Sequence, residues 1–116
     1  MKKINVVKES KDFESIIHTG ICKKDRNLVL YYKENNLNHY RFGISVGKKI
    51  GNAVTRNYYK RQLRNIIDNN KNLYPNSMDY IIILRKNCLE INYNKIEESF
   101  IRLINSSKKG EKNEIK

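Results

Sequence analysis

The run "DYIIILRK", Asp79 to Lys86, constrains the fold of this chain most. Tyr80 to Leu84 are all large and apolar, so at the two-residue period of a strand neither face is left polar. A run of this kind is expected of a central strand buried on both faces. The sheet it belongs to therefore needs helices packed on it. At 116 residues, the chain can build one modest core and not two.

The rest of the chain supplies partners for that strand. Glu9 to Ile17 sets Phe13, Ile16 and Ile17 at helical spacing, with Ser10 as an N-cap and Gly20 as the stop. "NLVLYY", Asn27 to Tyr32, is short, β-branched and aromatic, which predicts a strand. "HYRFGISV", His39 to Val46, alternates Tyr40, Phe42, Ile44 and Val46 with a more polar set, which predicts a half-buried strand. These two strands are joined by the polar link "KENNLN" and are expected to form a hairpin. A whole helix separates "HYRFGISV" from "YIIIL", so those strands are candidates for a parallel pair. "NNKNLYPNS" reads as a loop around Pro75. A final helix is predicted from Tyr93 to Asn105, with Ile96, Phe100, Leu103 and Ile104 on one side. The expected architecture is a single α+β domain over residues 1–105, a single-layer central sheet of about four strands with three helices. The tail "SSKKGEKNEIK", residues 106–116, lacks an apolar face and is expected to be disordered.

The formal charge of +12 points to nucleic acid or an anionic surface. No apolar stretch is long enough for a spanning helix or a signal peptide, so a cytoplasmic setting is expected. Cys22 and Cys88 fit that setting as reduced thiols, and neither belongs to a C-x-x-C pair. No His/Asp/Glu cluster with metal spacing is visible, and His18 and His39 fall on separate elements. A nuclease with paired histidines would need both on one phosphate.

The charge is concentrated. Asn35 to Ile67 contains no Asp or Glu, yet it holds Arg41, Lys48, Lys49, Arg56, Lys60, Arg61 and Arg64. A helix should begin near Asn52 or Ala53. At about 100° per residue, Asn57, Lys60, Arg61 and Arg64 share an arc, and Tyr59, Leu63, Ile66 and Ile67 share another. Arg56 lies near the border. A solvated helix usually mixes charge signs, because like charges one turn apart repel. Arg56, Lys60 and Arg64 are like charges at that spacing, so an external anion is expected to neutralise them. Asn57 is suited either to hydrogen-bond RNA or to hold the helix start. Gly47 and Gly51 do not fit a phosphate-loop motif; they suit tight backbone geometry ahead of a helix N-terminus. On periodicity alone Phe13 is a core residue.

The segment "GKKIGNAVTRNYYKRQLRNII" resembles the signature of the bacterial ribonuclease P protein component. The matching positions are Lys48, Lys49, Gly51, Ala53, Val54, Arg56, Asn57, Lys60, Arg61 and Arg64. "KDFESIIHTG", "NLVLYY", "RFGISVGKK" and "DYIIILRK" extend the resemblance over most of the chain. Tyr58 replaces the second arginine of the family's Arg-Asn-Arg, and Ile17 and Leu28 stand where the family often has aromatics. The resemblance implies a ribosomal-protein-like fold with a left-handed strand–helix–strand crossover, against the usual hand of such connections. It implies a holoenzyme that removes the 5′ leader of precursor tRNA, with catalysis on a large RNA that carries Mg²⁺. The protein is then expected to bind no cofactor itself, to have no catalytic residue and to need no stable protein partner. Lys48, Lys49, Arg56, Asn57, Lys60, Arg61 and Arg64 would contact the catalytic RNA. Phe13, Ile17 and Tyr31 would line a cleft for the single-stranded leader. Tyr58 is expected beside the RNA face. A structural RNA-binding protein of ribosomal type is the alternative that shares the charge but not the motif.

Overall fold

The structure, a computed structural model, describes the backbone of residues 1–115 and the side chains of residues 1–108. The helices are α1 (Ser10–Thr19), α2 (Ala53–Asn69) and α3 (Tyr93–Ile115). The strands are β1 (Ile21–Lys24), β2 (Leu28–Glu34), β3 (Arg41–Ser45) and β4 (Met78–Leu84). They form a mixed sheet in the order β1-β2-β4-β3. β4 is an inner strand, as its two apolar faces require: Tyr80 and Ile82 turn to one side and Ile81 to the other, all nearly inaccessible to solvent.

β3 and β4 run parallel and are joined through α2. The expected hairpin of β2 with β3 does not form, because β4 lies between them and pairs antiparallel with β2. Inner positions go to strands that are apolar on both faces, and β3, apolar on one face, is left at the edge. The link after β2 crosses the start of β4, where Asn35 N–H donates to the Ser77 carbonyl. The hairpin in this sheet joins β2 to β1, a strand the sequence pattern did not reveal. "ICKK" has no apolar alternation, since β1 is a largely exposed edge. Asp25 makes the turn: its Oδ1 accepts from Asn27 N–H at 2.8 Å and Leu28 N–H at 2.9 Å.

α2 and α3 cover one face of the sheet. Leu63, Ile66 and Ile67 of α2 and Ile96, Phe100 and Ile104 of α3 meet Leu28, Leu30, Tyr32, Phe42, Tyr80 and Ile82 there. Phe42 and Tyr80 stack at 4.7 Å, and Tyr74 stands edge-on to Phe42 at 4.8 Å. Each fully buried side chain of this size contributes about 1.5–3 kcal/mol. α1 lies on the other face over a smaller cluster, Val7, Ile16 and Ile81.

Two helix ends differ from expectation. Glu9 occupies the N-cap of α1, with no side-chain cap bond, and Ser10 is the first helical residue. α3 continues past Asn105. Residues 106–108 are therefore helical rather than disordered, and the buried Ser107 hydroxyl donates to the Ile104 carbonyl at 2.6 Å. That bond hides a polar side chain that the sequence pattern counted as solvent-facing. The backbone of residues 109–115 continues the same helix, and for residue 116 the expectation of disorder lies outside the described residues.

Candidate nucleic-acid interface

Asn52 opens α2, its side chain accepting from Thr55 N–H at 3.0 Å. Gly51 precedes it at φ 156°, and a Cβ there would press on the Thr55 side chain at 3.1 Å. Capping therefore falls to Asn52, and Asn57 is left exposed. Leu63, Ile66 and Ile67 bind the helix to the core, with Tyr59 half-buried beside them. Arg61 and Arg64 are exposed, Lys60 and Arg56 half-buried, and Lys48 and Lys49 project from the 3-10 turn Lys48–Ile50 just before. Among the described residues, none of these six cations forms an ion pair or a side-chain hydrogen bond. The Nε of Arg56 is buried without a partner. Tyr58 is 48% exposed on the outer side of the helix, its ring edge-on to Tyr59 at 5.1 Å.

The seventh cation of the acid-free window is committed elsewhere. Arg41 meets the buried Asp79 in a two-pronged pair, Nε to Oδ1 at 2.8 Å and Nη2 to Oδ2 at 2.7 Å. Its Nη1 reaches Asp12 of α1 at 3.4 Å. Arg41 thus fastens α1 to the sheet. Sequence distance hid this, because both of its acids lie outside the window.

Phe13, Ile17 and Tyr31 come together, half-buried, around Ile16 and Ile81. Register explains why this face stays partly open. Tyr31, Ile81 and Gly43 form one row across the sheet, and Val29, Ile83 and Ser45 form the next. α1 sits over the first row, and Val29, Ile83 and Ser45 are half-exposed. The Phe13 ring lies directly on Gly43: a Cβ there would be 2.7 Å from Phe13 Cε2.

Sequence reasoning missed one group of cations. The parallel pairing brings the ends of β3 and β4 to the same end of the sheet as the β1–β2 turn. Lys24, Arg26 and Arg85 line one hollow there, and the Lys48–Ile50 turn packs on the turn Lys86–Glu90. These cations stand as short pairs far apart in the chain, so no sequence window contained them. His18 and His39 remain on separate elements, α1 and the link before β3. Among the described residues, no group of three His, Cys, Asp or Glu is placed to hold a metal ion, and no helix is long and apolar enough to cross a membrane.

Fold and surface together define a class: small α+β domains that offer a polyanion one surface of unpaired cations and half-buried aromatic rings. The Ribonuclease P family profile matches residues 1–108. The ribonuclease P protein component of Streptococcus pneumoniae (strain Hungary19A-6) is 42% identical over 108 residues, 93% of this chain and 88% of the relative. A solved Staphylococcus aureus RNase P protein, a mutant with defective mRNA degradation activity, superposes with a TM-score of 0.85 at 33% identity, covering 91% of this chain and 90% of that one. The RNase P protein of Thermotoga maritima gives 0.78 at 27% identity, covering 84% and 93%. The chain belongs to the ribonuclease P protein family.

Proposed function

We propose that this chain is the protein subunit of ribonuclease P. In this reading it binds the catalytic RNA through α2 and the Lys48–Ile50 turn, and the 5′ leader of precursor tRNA through the Phe13, Ile17 and Tyr31 cleft. The observation that carries the reading is the set of six cations without ion-pair partners on and before one helix, beside a half-open aromatic cleft. Each cation that neutralises a phosphate releases counterions, which favours binding and makes it depend on salt. Aromatic and aliphatic side chains at the cleft suit unpaired bases of any sequence.

The protein's part is to bind and align. Arg56, Arg61, Lys48 and Lys49 would fix the RNA backbone, and Phe13 and Tyr31 would hold the leader clear of base pairing. Mg²⁺ carried by the RNA would supply the Lewis acid that activates water for hydrolysis of the phosphodiester.

The test is reconstitution. Purified protein is added to precursor tRNA at low Mg²⁺, with and without the catalytic RNA. Cleavage to the mature 5′ end is expected only with both components. Arg61→Ala should reduce the slope of log K against log salt for the catalytic RNA by about 0.7–0.9. Cleavage by the protein alone would identify an independent nuclease. No effect on the RNA's activity would identify a structural RNA-binding protein.

A further inference from the structure

α1 is pinned to the sheet along one edge. Asp12, Ser15 and Thr19 fall within about 60° of one another on the helix, beside the arc of Phe13, Ile16 and Ile17. Under this polar seam runs the row Lys33, Asp79 and Arg41, one residue each from β2, β4 and β3. Arg41, locked to the buried Asp79, reaches Asp12 through Nη1 at 3.4 Å. Lys33 Nζ donates to Thr19 Oγ1 at 2.9 Å and to Ser15 Oγ at 3.2 Å. The two cations therefore hold α1 at points about two turns apart. The neighbouring row, Tyr31, Ile81 and Gly43, lies under the apolar arc, and the side beyond it is the open one.

We infer that Arg41 and Lys33 are positioning residues for precursor binding: by holding α1 at Asp12 and at Ser15 and Thr19, they keep the Phe13 ring over Gly43 and set the opening of the cleft beside it. The inference rests on the reading of that cleft as the leader site. Phe13 follows Asp12 directly, so a contact at residue 12 fixes the rotation of the helix where the ring leaves it. Apolar packing does not fix it alone. The cluster under α1 has three buried members, Val7, Ile16 and Ile81, and burial has no preferred direction. A guanidinium fork on a carboxylate sets angle as well as distance. Both cations stand one row away from the platform of Tyr31 and Gly43, so they act on the leader through α1.

The experiment uses the reconstituted holoenzyme, with a long-leader precursor tRNA and mature tRNA as ligands. Leader preference, the ratio of the two affinities, is measured for wild type, Asp12→Ala, Asp12→Glu, Lys33→Met, Asp12→Ala/Lys33→Met and Phe13→Leu. Affinity for the catalytic RNA and amide hydrogen exchange of α1 are measured beside it. The variants at 12 and 33 leave the buried Arg41–Asp79 pair intact, which protects the fold. Asp12→Ala removes a negative charge near an RNA site, so electrostatics alone would tighten precursor binding, whereas positioning requires it to weaken. Leader preference should fall about two- to fivefold in Asp12→Ala and about five- to tenfold in the double variant. Exchange should quicken in α1, affinity for the catalytic RNA should stay within about twofold, and Asp12→Glu should keep most of the preference. Unchanged or tighter leader binding by Asp12→Ala overturns the assignment even where α1 exchange quickens, because the polar row then serves the fold alone. An equal loss of catalytic RNA affinity overturns it too. A flatter salt dependence of precursor binding in Lys33→Met would mean that Lys33 touches the leader itself, and would overturn its positioning role. If Phe13→Leu keeps the wild-type preference, the cleft reading fails and this inference fails with it.

Discussion

Gly43 shows how much one missing methyl group decides. The Phe13 ring rests where a Cβ would stand, and Ile81 Cδ1 occupies the same space at 2.7 Å. Phe13 can approach the sheet this closely only because position 43 has no side chain. Gly43→Ala should force the ring outward and destabilise the domain by about 1–3 kcal/mol, the usual cost of overpacking. The check is urea unfolding of Gly43→Ala, Phe13→Leu and the double variant. A smaller ring-free side chain at 13 should recover part of the loss, giving a coupling of more than about 0.5 kcal/mol. Strict additivity would mean that the two residues do not constrain each other. From the sequence, Phe13 was a core residue by period and a cleft residue by resemblance. In the structure it is half-buried, packed against Ile81 and Gly43 and partly open to solvent.

At the scale of elements, the β1–β2 turn carries a pH signal. Burial alone would raise the Asp25 carboxyl, but N–H groups of Leu28 and Asn27, with Ser99 and Arg102, outweigh it and hold its pKa below the ordinary value of 3.8. A depressed carboxylate stabilises the fold fully above its ordinary pKa. That contribution is lost as pH falls through the lower, folded value. Unfolding free energy should therefore decline below about pH 4 in wild type. Asp25→Asn keeps the turn acceptor and removes the titration, so its curve should be flatter over the same interval. Equal slopes from denaturant titrations at pH 3 to 6 would remove Asp25 from the acid response. α2 is the contrasting element. Its period was readable, because the packed arc and the charged arc are both long and unbroken. β1 was not, because an exposed edge strand of four residues carries no apolar period.

At the scale of the whole molecule, the two cysteines report the layering. Cys22 is exposed on β1, opposite Tyr31, and Cys88 is buried. Burial pushes the Cys88 thiol up to about 11, and its Sγ lies 3.1 Å from the Asn27 carbonyl. Because the thiolate is the reacting form, a colorimetric thiol reagent at neutral pH should label Cys22 promptly and Cys88 only on unfolding. Mass spectrometry of the labelled chain decides it. Rapid labelling of Cys88 in the native protein would contradict the packing of α3 over β2 and β4.

By itself the sequence determined the parts. The unbroken apolar run of β4 required an inner strand, and the period-matched α2, without an acid as far as Ile67, required a packed side and a charged side. Both are local properties, fixed by side-chain type and spacing within one element. Tertiary structure alone decided which parts meet. It placed β4 between β2 and β3, committed Arg41 to Asp79, drew Lys24, Arg26, Arg85 and Lys86 to the end of the sheet that bears Lys48 and Lys49, and turned Lys60 and Arg64 toward Phe13. Strand order and pairing register set those neighbours across dozens of residues. No window of sequence contains the distances involved.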